Sequence, residues 1–200
     1  MSYQKIVLHQ FGGSDVLHLE TNHPVPEPGP GEVRVLIEAA TVSNTDTLVR
    51  KVIYPLLKDK PPFTPGYDFV GRVDKLGVGV SRFRVGDRVA DICQTGGYAT
   101  YLCRPASELL TMADDIATID AACLVLSGIT AYQIFKHAAA VQPGESFLVH
   151  GGSGAVGSRL LQLCRQYSVR AVTTASASKH PALAQYGAVM IDYHADDYEQ

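Results

Sequence analysis

The hexapeptide Gly152-Ser153-Gly154-Ala155-Val156-Gly157 fits the pattern G-x-G-x-x-G and is the segment of this sequence best suited to chemistry. In that pattern the first glycine makes a tight turn, the second lets backbone approach a pyrophosphate, and the third lets helix and strand pack closely. The helix that follows offers free N–H groups and a partial positive charge to phosphate. The pattern alone is weak. It gains meaning here because an apolar, strand-like run at 146–150 precedes it and a helix-like run follows. Dinucleotide binding is the expectation. A site for NAD carries an acidic residue about 20 positions after the first glycine, against the ribose hydroxyls. No Asp or Glu lies between Glu145 and Asp192. The second strand ends instead in Thr174-Ala175-Ser176-Ala177-Ser178-Lys179. Small hydroxyls and a lysine suit a 2′-phosphate. Lys179 is the main expected contact, with Ser176 and Thr174 beside it, and NADPH is the expected cofactor.

Metal chemistry is not expected. A zinc centre needs Cys or His ligands that converge, often with a four-cysteine lobe. Segment 41–46 holds no cysteine, segment 64–68 no histidine, and Cys93 and Cys103 stand apart within 91–105. The four cysteines, at 93, 103, 123 and 164, form no Cys-x-x-Cys pair and read as reduced and packed.

The elements that must hold the glycine loop follow from periodicity. Strands are expected at 146–150, 169–174 and 189–193. Between them, Val156, Leu160, Leu163, Cys164 and Tyr167 form one helix face, and 181–186 is a short helix closed by Gly187. Strand, helix, strand, helix, strand is the order of a parallel sheet with crossover helices. Three such strands are half of a doubly wound sheet, and the last would be an open edge. The chain therefore reads as incomplete: a fragment, a shortened product, or a protein completed by a partner.

The first half is different in kind. Short strands are expected at 5–9, 33–39, 69–76, 88–93 and 98–103, with Val33, Val35 and Ile37 in alternation. Segment 24–31, with four prolines and two glycines, is a loop. Many short strands with Gly and Pro turns suggest a small barrel or sandwich. Residues 120–140 read as one helix or two, interrupted at Ser127-Gly128. The expected division is 1–122 and 123–200.

Composition excludes other classes. The 200 residues are 46% hydrophobic and 18% charged, enough apolar content for a folded core. Seventeen basic against 20 acidic side chains give a formal charge of -3, which argues against a general nucleic-acid binder. The central apolar stretch 121–126 is too short to span a bilayer. Met1-Ser2-Tyr3-Gln4-Lys5 does not lead into a long apolar run, so no secretory signal is expected and the expected location is cytoplasmic.

Several further motifs stand in order along the chain: Phe11-Gly12-Gly13-Ser14-Asp15-Val16-Leu17, Pro28-Gly29-Pro30-Gly31-Glu32-Val33, Pro65-Gly66-Tyr67-Asp68 and Val85-Gly86-Asp87-Arg88-Val89. With the glycine loop, they make the sequence resemble the medium-chain dehydrogenase/reductase superfamily, in its zinc-free quinone oxidoreductase branch of the zeta-crystallin and VAT-1 type. The resemblance implies an α/β chain: an N-terminal GroES-like β-barrel domain followed by a Rossmann domain, incomplete here. It implies an NADPH-dependent reductase of quinones or activated carbon–carbon double bonds, a small-molecule partner, and a possible homodimer through a Rossmann edge strand. It places segment 42–46, with Ser43 and Asp46, beside the nicotinamide. The family carries Asn three positions before the Asp; here Ser43 stands there and Asn44 one place later. Arg50 and Tyr54 match the family's Arg and Tyr near the substrate, Thr130 a Thr near the nicotinamide, and Tyr193 an aromatic near the adenine ribose. Tyr54, Arg50 or Asn44 would then donate to the acceptor's oxygen, while Asp68 orients backbone or a neighbouring arginine. The alternative from another class is an NADPH-binding protein without robust catalysis, in a sensor, structural or adaptor role. An enoyl-reductase piece of a larger synthase ranks lower, since nothing flanks the domain to suggest it.

Overall fold

The computed structural model describes residues 3–195. The chain divides after Leu126 into two compact units.

In the first unit, β1 (Tyr3–Leu8) and β2 (Leu17–His23) form an antiparallel ribbon. A second sheet is built from β3 (Glu32–Ala39), β4 (Phe69–Leu76), β5 (Arg88–Asp91), β6 (Tyr101–Pro105) and β7 (Leu110–Thr111), in the order β6-β3-β4-β5-β7. The short helix α1 (Asn44–Arg50) leaves the end of β3. Strand β1 also makes single bridges from Lys5 to Ala99, just before β6, and from Leu8 to Phe63, in the loop between α1 and β4. The two sheets are separate and open, where the family resemblance implied a closed barrel.

Alternation along the strands builds two cores. Val33, Val35, Phe69, Val73 and Val89 turn to one face and bury with Phe83 and Leu109. Val70 and Ala90 turn to the other and meet Ala121 and Ala122 of α2 (Thr118–Cys123) and Val125. Two buried charges brace this unit. Arg88, 3% exposed, donates to Glu38, to the carbonyls of Ala113 and Ile116, and to the Thr118 hydroxyl. Asp68, wholly buried, accepts from the Thr41 amide and hydroxyl and from the Leu126 amide. Saturating both groups offsets their loss of water. Asp68 orients backbone, one of the two roles expected for it.

The helix expected at 120–140 does not break at Ser127-Gly128. From α2 it runs through a π-helical turn (Leu124–Gly128), α3 (Ile129–Gln133) and a second π-helical turn (Ile134–Ala138). The wider turns absorb the glycine without ending the helix. The 21-residue run Thr118–Ala138, with mean hydropathy 1.4, is long and apolar enough to cross a membrane by length and composition. The shorter stretch 121–126 had understated it. Its Ala121, Ala122 and Val125 belong to the first unit's core and its Ala131 and Phe135 to the second's, while its apolar window as a whole is only 28% buried.

In the second unit, β8 (Ser146–Val149), β9 (Arg170–Thr174) and β10 (Val189–Ile191) form a parallel sheet in the order β10-β9-β8. Helix α4 (Ala155–Gln166) joins β8 to β9, and α5 (His180–Leu183) lies before β10. Leu160, Leu161 and Cys164 of α4 bury with Val149, Val169 and Ala171. Each fully buried leucine contributes about 1.5–3 kcal/mol. Gly187, at φ 69°, ends the turn after α5 in the left-handed region, as its C-cap position suggested.

Candidate functional site

The glycine loop lies between β8 and α4, where the sequence placed it. Gly151, one residue before the hexapeptide, takes φ +71° and so needs glycine. Three bonds fix the loop. The Gly151 amide donates to the Thr174 hydroxyl at 3.0 Å, the Gly152 amide to the Thr174 carbonyl at 3.0 Å, and the Gly154 amide to the Gly151 carbonyl at 2.9 Å. The glycines then divide their work. A Cβ on Gly152 would stand 2.1 Å from the Thr173 hydroxyl, and one on Gly157 would stand 2.3 Å from the Gly151 carbonyl oxygen. Both positions are closed by packing. A Cβ on Gly154 would meet only the Gly151 oxygen, at 3.2 Å, and otherwise open space. Gly154 is the N-cap of α4 and has no side chain to cap it. Ser153, Gly154 and Ala155 are exposed and Val156 is half-buried. No bond within the described chain engages the amides of Ala155, Val156 and Gly157. Gly157 is buried. Unengaged backbone donors at the start of a helix fit an anionic group such as a pyrophosphate.

The end of β9 stands beside this loop through Thr174. Thr174 is buried, and its hydroxyl holds Gly151 rather than facing outward. Past it, the Ser176 hydroxyl lies 3.3 Å from that of Ser178, and the His180 ring nitrogen lies 3.0 Å from the Ala175 carbonyl. Lys179 is exposed, and no described carboxylate pairs with it. Tyr193, after β10, is 45% exposed and tilts against His194. Thr130 lies half-buried on α3 between the two π-helical turns.

The residues expected near an acceptor all lie in the first unit. Ser43 and Asp46 close a capping box at the start of α1: the Asp46 carboxylate accepts the Ser43 amide at 2.8 Å and its hydroxyl at 2.9 Å. Asn44, the first helical residue, is exposed. Arg50 does not pair with Asp46. Its guanidinium donates to the Gly12 carbonyl at 2.7 Å, and its own carbonyl accepts the Gly12 amide. Tyr54 is half-buried, and its hydroxyl lies 2.6 Å from that of Tyr67. Tyr67 carried no expected role. It lies two residues beyond Pro65, its ring edge-on to that of Tyr54. Burial first, and then the bond to Tyr54, hold its phenol well above the ordinary range.

Tyr54 and Tyr67 line a cavity of about 130 Å³ with Val49, Cys93 and the Asp59–Thr95 pair, in which the Thr95 hydroxyl donates to the Asp59 carboxylate at 2.7 Å. Burial pushes the Cys93 thiol up to about 12, and it donates to the Gly66 carbonyl. A larger groove of about 570 Å³ lies between the ribbon and the sheet, with Ile6, Leu17, Leu19 and Val42 in its wall. Lys5 is its one charged residue, so it offers little polar chemistry. Among the described residues, no group of three or more His, Cys, Asp or Glu is placed to hold a metal ion.

Residues 29–114 match the alcohol dehydrogenase GroES-like domain family. The synaptic vesicle membrane protein VAT-1 homolog of Rattus norvegicus is 37% identical over 196 residues, covering 96% of this chain and 48% of that protein. The quinone oxidoreductase of Lama guanicoe is 32% identical over 194 residues, covering 96% of this chain and 58% of that protein. Among solved structures, the quinone oxidoreductase from Coxiella burnetii has a TM-score of 0.90 at 31% identity, over 100% of this chain and 65% of that one. Mycobacterial Rv1454c complexed with NADPH has a TM-score of 0.87 at 35% identity, over 99% of this chain and 61% of that one. The chain spans about half the length of the curated relatives it matches. With a GroES-like first unit, half of a Rossmann-type parallel sheet in the second, and likeness that extends across both, the chain belongs to the medium-chain dehydrogenase/reductase superfamily, among its quinone oxidoreductase and VAT-1-like members.

Proposed function

We propose that this chain carries the NADPH-binding and acceptor-binding residues of an oxidoreductase that transfers a hydride to a quinone or to an alkene activated by a carbonyl. One observation carries the reading: an open glycine loop whose amides at 155–157 are unengaged, beside an acid-free end of β9 where Lys179 stands exposed. An acidic side chain there would select the ribose hydroxyls of NADH; a cation with neighbouring hydroxyls suits a 2′-phosphate. The likeness to a mycobacterial protein complexed with NADPH, and to proteins called quinone oxidoreductase, supports the same reading.

When bound, NADPH supplies the hydride from its nicotinamide ring. The amides of Ala155, Val156 and Gly157 hold the pyrophosphate, while Lys179 and Ser176 hold the 2′-phosphate. Thr174 acts indirectly, by fixing Gly151. Thr130, Ser43 and Asp46 serve the nicotinamide side, Asp46 by shaping the turn, since its carboxylate is committed to Ser43. Tyr193 serves the adenine ribose. As the acceptor carbon gains the hydride, negative charge gathers on the acceptor's carbonyl oxygen, and a donor placed there lowers the barrier. Tyr54 is that donor, with Asn44 a second. Arg50 contributes positive field while its guanidinium ties down Gly12.

The test is a paired titration of NADPH and NADH read by thermal shift. A ligand at 100 times its Kd stabilises by about 2.7 kcal/mol. Stabilisation by NADPH at much lower concentration than NADH is expected; equal responses defeat the assignment. Consumption of NADPH with a simple ortho-quinone or an alkenal then tests the reaction, and tight binding without turnover favours the non-catalytic alternative.

A further inference from the structure

We infer that Tyr67 is a positioning residue for Tyr54: it donates its phenolic proton to the Tyr54 oxygen, and so leaves the Tyr54 proton for an acceptor's carbonyl oxygen in the adjoining cavity. This rests on the reading of Tyr54 as the donor to the acceptor.

The direction of the bond follows from burial. The two hydroxyls are 2.6 Å apart, so one of them donates to the other. Tyr67 is 7% exposed, whereas Tyr54 is half-buried. A buried hydroxyl proton needs an acceptor. Among the described residues, the Tyr54 oxygen is the one partner of the Tyr67 hydroxyl. If Tyr54 donated instead, the Tyr67 proton would have no partner among the described residues. Tyr67 therefore donates, and the Tyr54 proton is free.

Rigidity runs the same way. The Tyr67 carbonyl accepts the Gln94 amide at 3.0 Å, and the next residue, Asp68, is held by Thr41 and Leu126. Tyr54 follows the exposed Val52 and Ile53 in the loop after α1. The anchored phenol thus orients the less anchored one. A hydroxyl that accepts one bond is also a stronger donor of the next. Burial, aided by Tyr54, Cys93 and Asp46, keeps the Tyr67 phenol protonated, so it stays a donor.

The test needs no turnover. The chromophoric enal para-dimethylaminocinnamaldehyde absorbs further to the red when its carbonyl accepts a hydrogen bond. It is titrated into the wild-type chain, Tyr67→Phe, Tyr54→Phe and the double variant, without NADPH. Tyr67→Phe keeps the ring and its edge-on packing and deletes only the hydroxyl. A red shift is expected on binding to wild type. Tyr67→Phe is expected to lose about half of it or more with affinity within about threefold, and Tyr54→Phe all of it, with no further change in the double variant. A full shift in Tyr67→Phe overturns the positioning role alone, as does an equal further loss in the Tyr54→Phe background. No shift with wild type overturns the placement of Tyr54 at the acceptor, and this inference with it.

Discussion

Two helices of this chain begin in opposite ways. At α1 the chain closes the end with its own side chains: the Asp46 carboxylate takes the Ser43 amide and hydroxyl, and both residues are wholly or half-buried. At α4 the N-cap is Gly154, which has nothing to close with, and the amides behind it are left open. A helix end whose donors are satisfied from within gains about 1 kcal/mol of stability. A helix end left open forgoes that gain and keeps its donors for something outside the chain. The difference separates a residue type from its role. Asp46 and Gly154 both sit where the family resemblance implies cofactor, yet one is committed to the fold and the other is free of it.

Four substitutions bear on that contrast. Gly157→Val should act most strongly, because its side chain would meet the Gly151 oxygen at 2.3 Å and the Gly152 Cα at 2.9 Å, both backbone atoms. Unfolding should become easier by roughly 1–3 kcal/mol, and the thermal response to NADPH should vanish. A normal response would show that the loop is not the binding element. Gly154→Ala should sharpen the contrast. At φ -75° and ψ 168° alanine is unstrained, so stability should stay within about 0.5 kcal/mol. NADPH affinity, followed by titration, should nonetheless fall about tenfold or more, equivalent to about 1.4 kcal/mol. Unchanged affinity would mean that the open end serves something else. Lys179→Ala should weaken NADPH about fivefold, an exposed charge being worth about 1 kcal/mol, and leave NADH unaffected; equal loss for both would remove the 2′-phosphate assignment. Asp46→Ala should lower the melting temperature by about 2–4 °C through loss of the cap, in calorimetry, and weaken NADPH by less than Gly154→Ala does, through the loosened turn at Ser43. A large loss of affinity with an unchanged melt would reverse the reading of the two helix ends.

What could be read beforehand was local. The glycine loop announces itself because strand, glycines and helix are consecutive, and the parallel half-sheet follows from the order of short elements. Strand β2 escaped because its sequence, mostly exposed, has no apolar period; pairing with β1 holds it in place. The start of α1 did carry a signal, Ser43 and Asp46 at capping-box spacing, which the resemblance to a cofactor segment overshadowed. Arg50 stands four residues after Asp46, a spacing that suits an ion pair on a helix, and instead bonds Gly12, 38 positions off. Tyr67 could not be found at all. Its partner lies 13 residues earlier across a loop, and no spacing rule pairs two tyrosines over that distance.

The three bonds that fix the glycine loop have a consequence for isotope exchange. Gly151, Gly152 and Gly154 give their amide hydrogens to Thr174 and to the loop itself. In deuterated solvent these should exchange only when the second unit opens, whereas the hydrogens of Ala155, Val156 and Gly157 should exchange at a local rate. A ligand on the loop would slow the second set and leave the first nearly untouched. The residues proposed to receive a phosphate would thus form a built-in gauge of occupancy, legible without colour, turnover or heat.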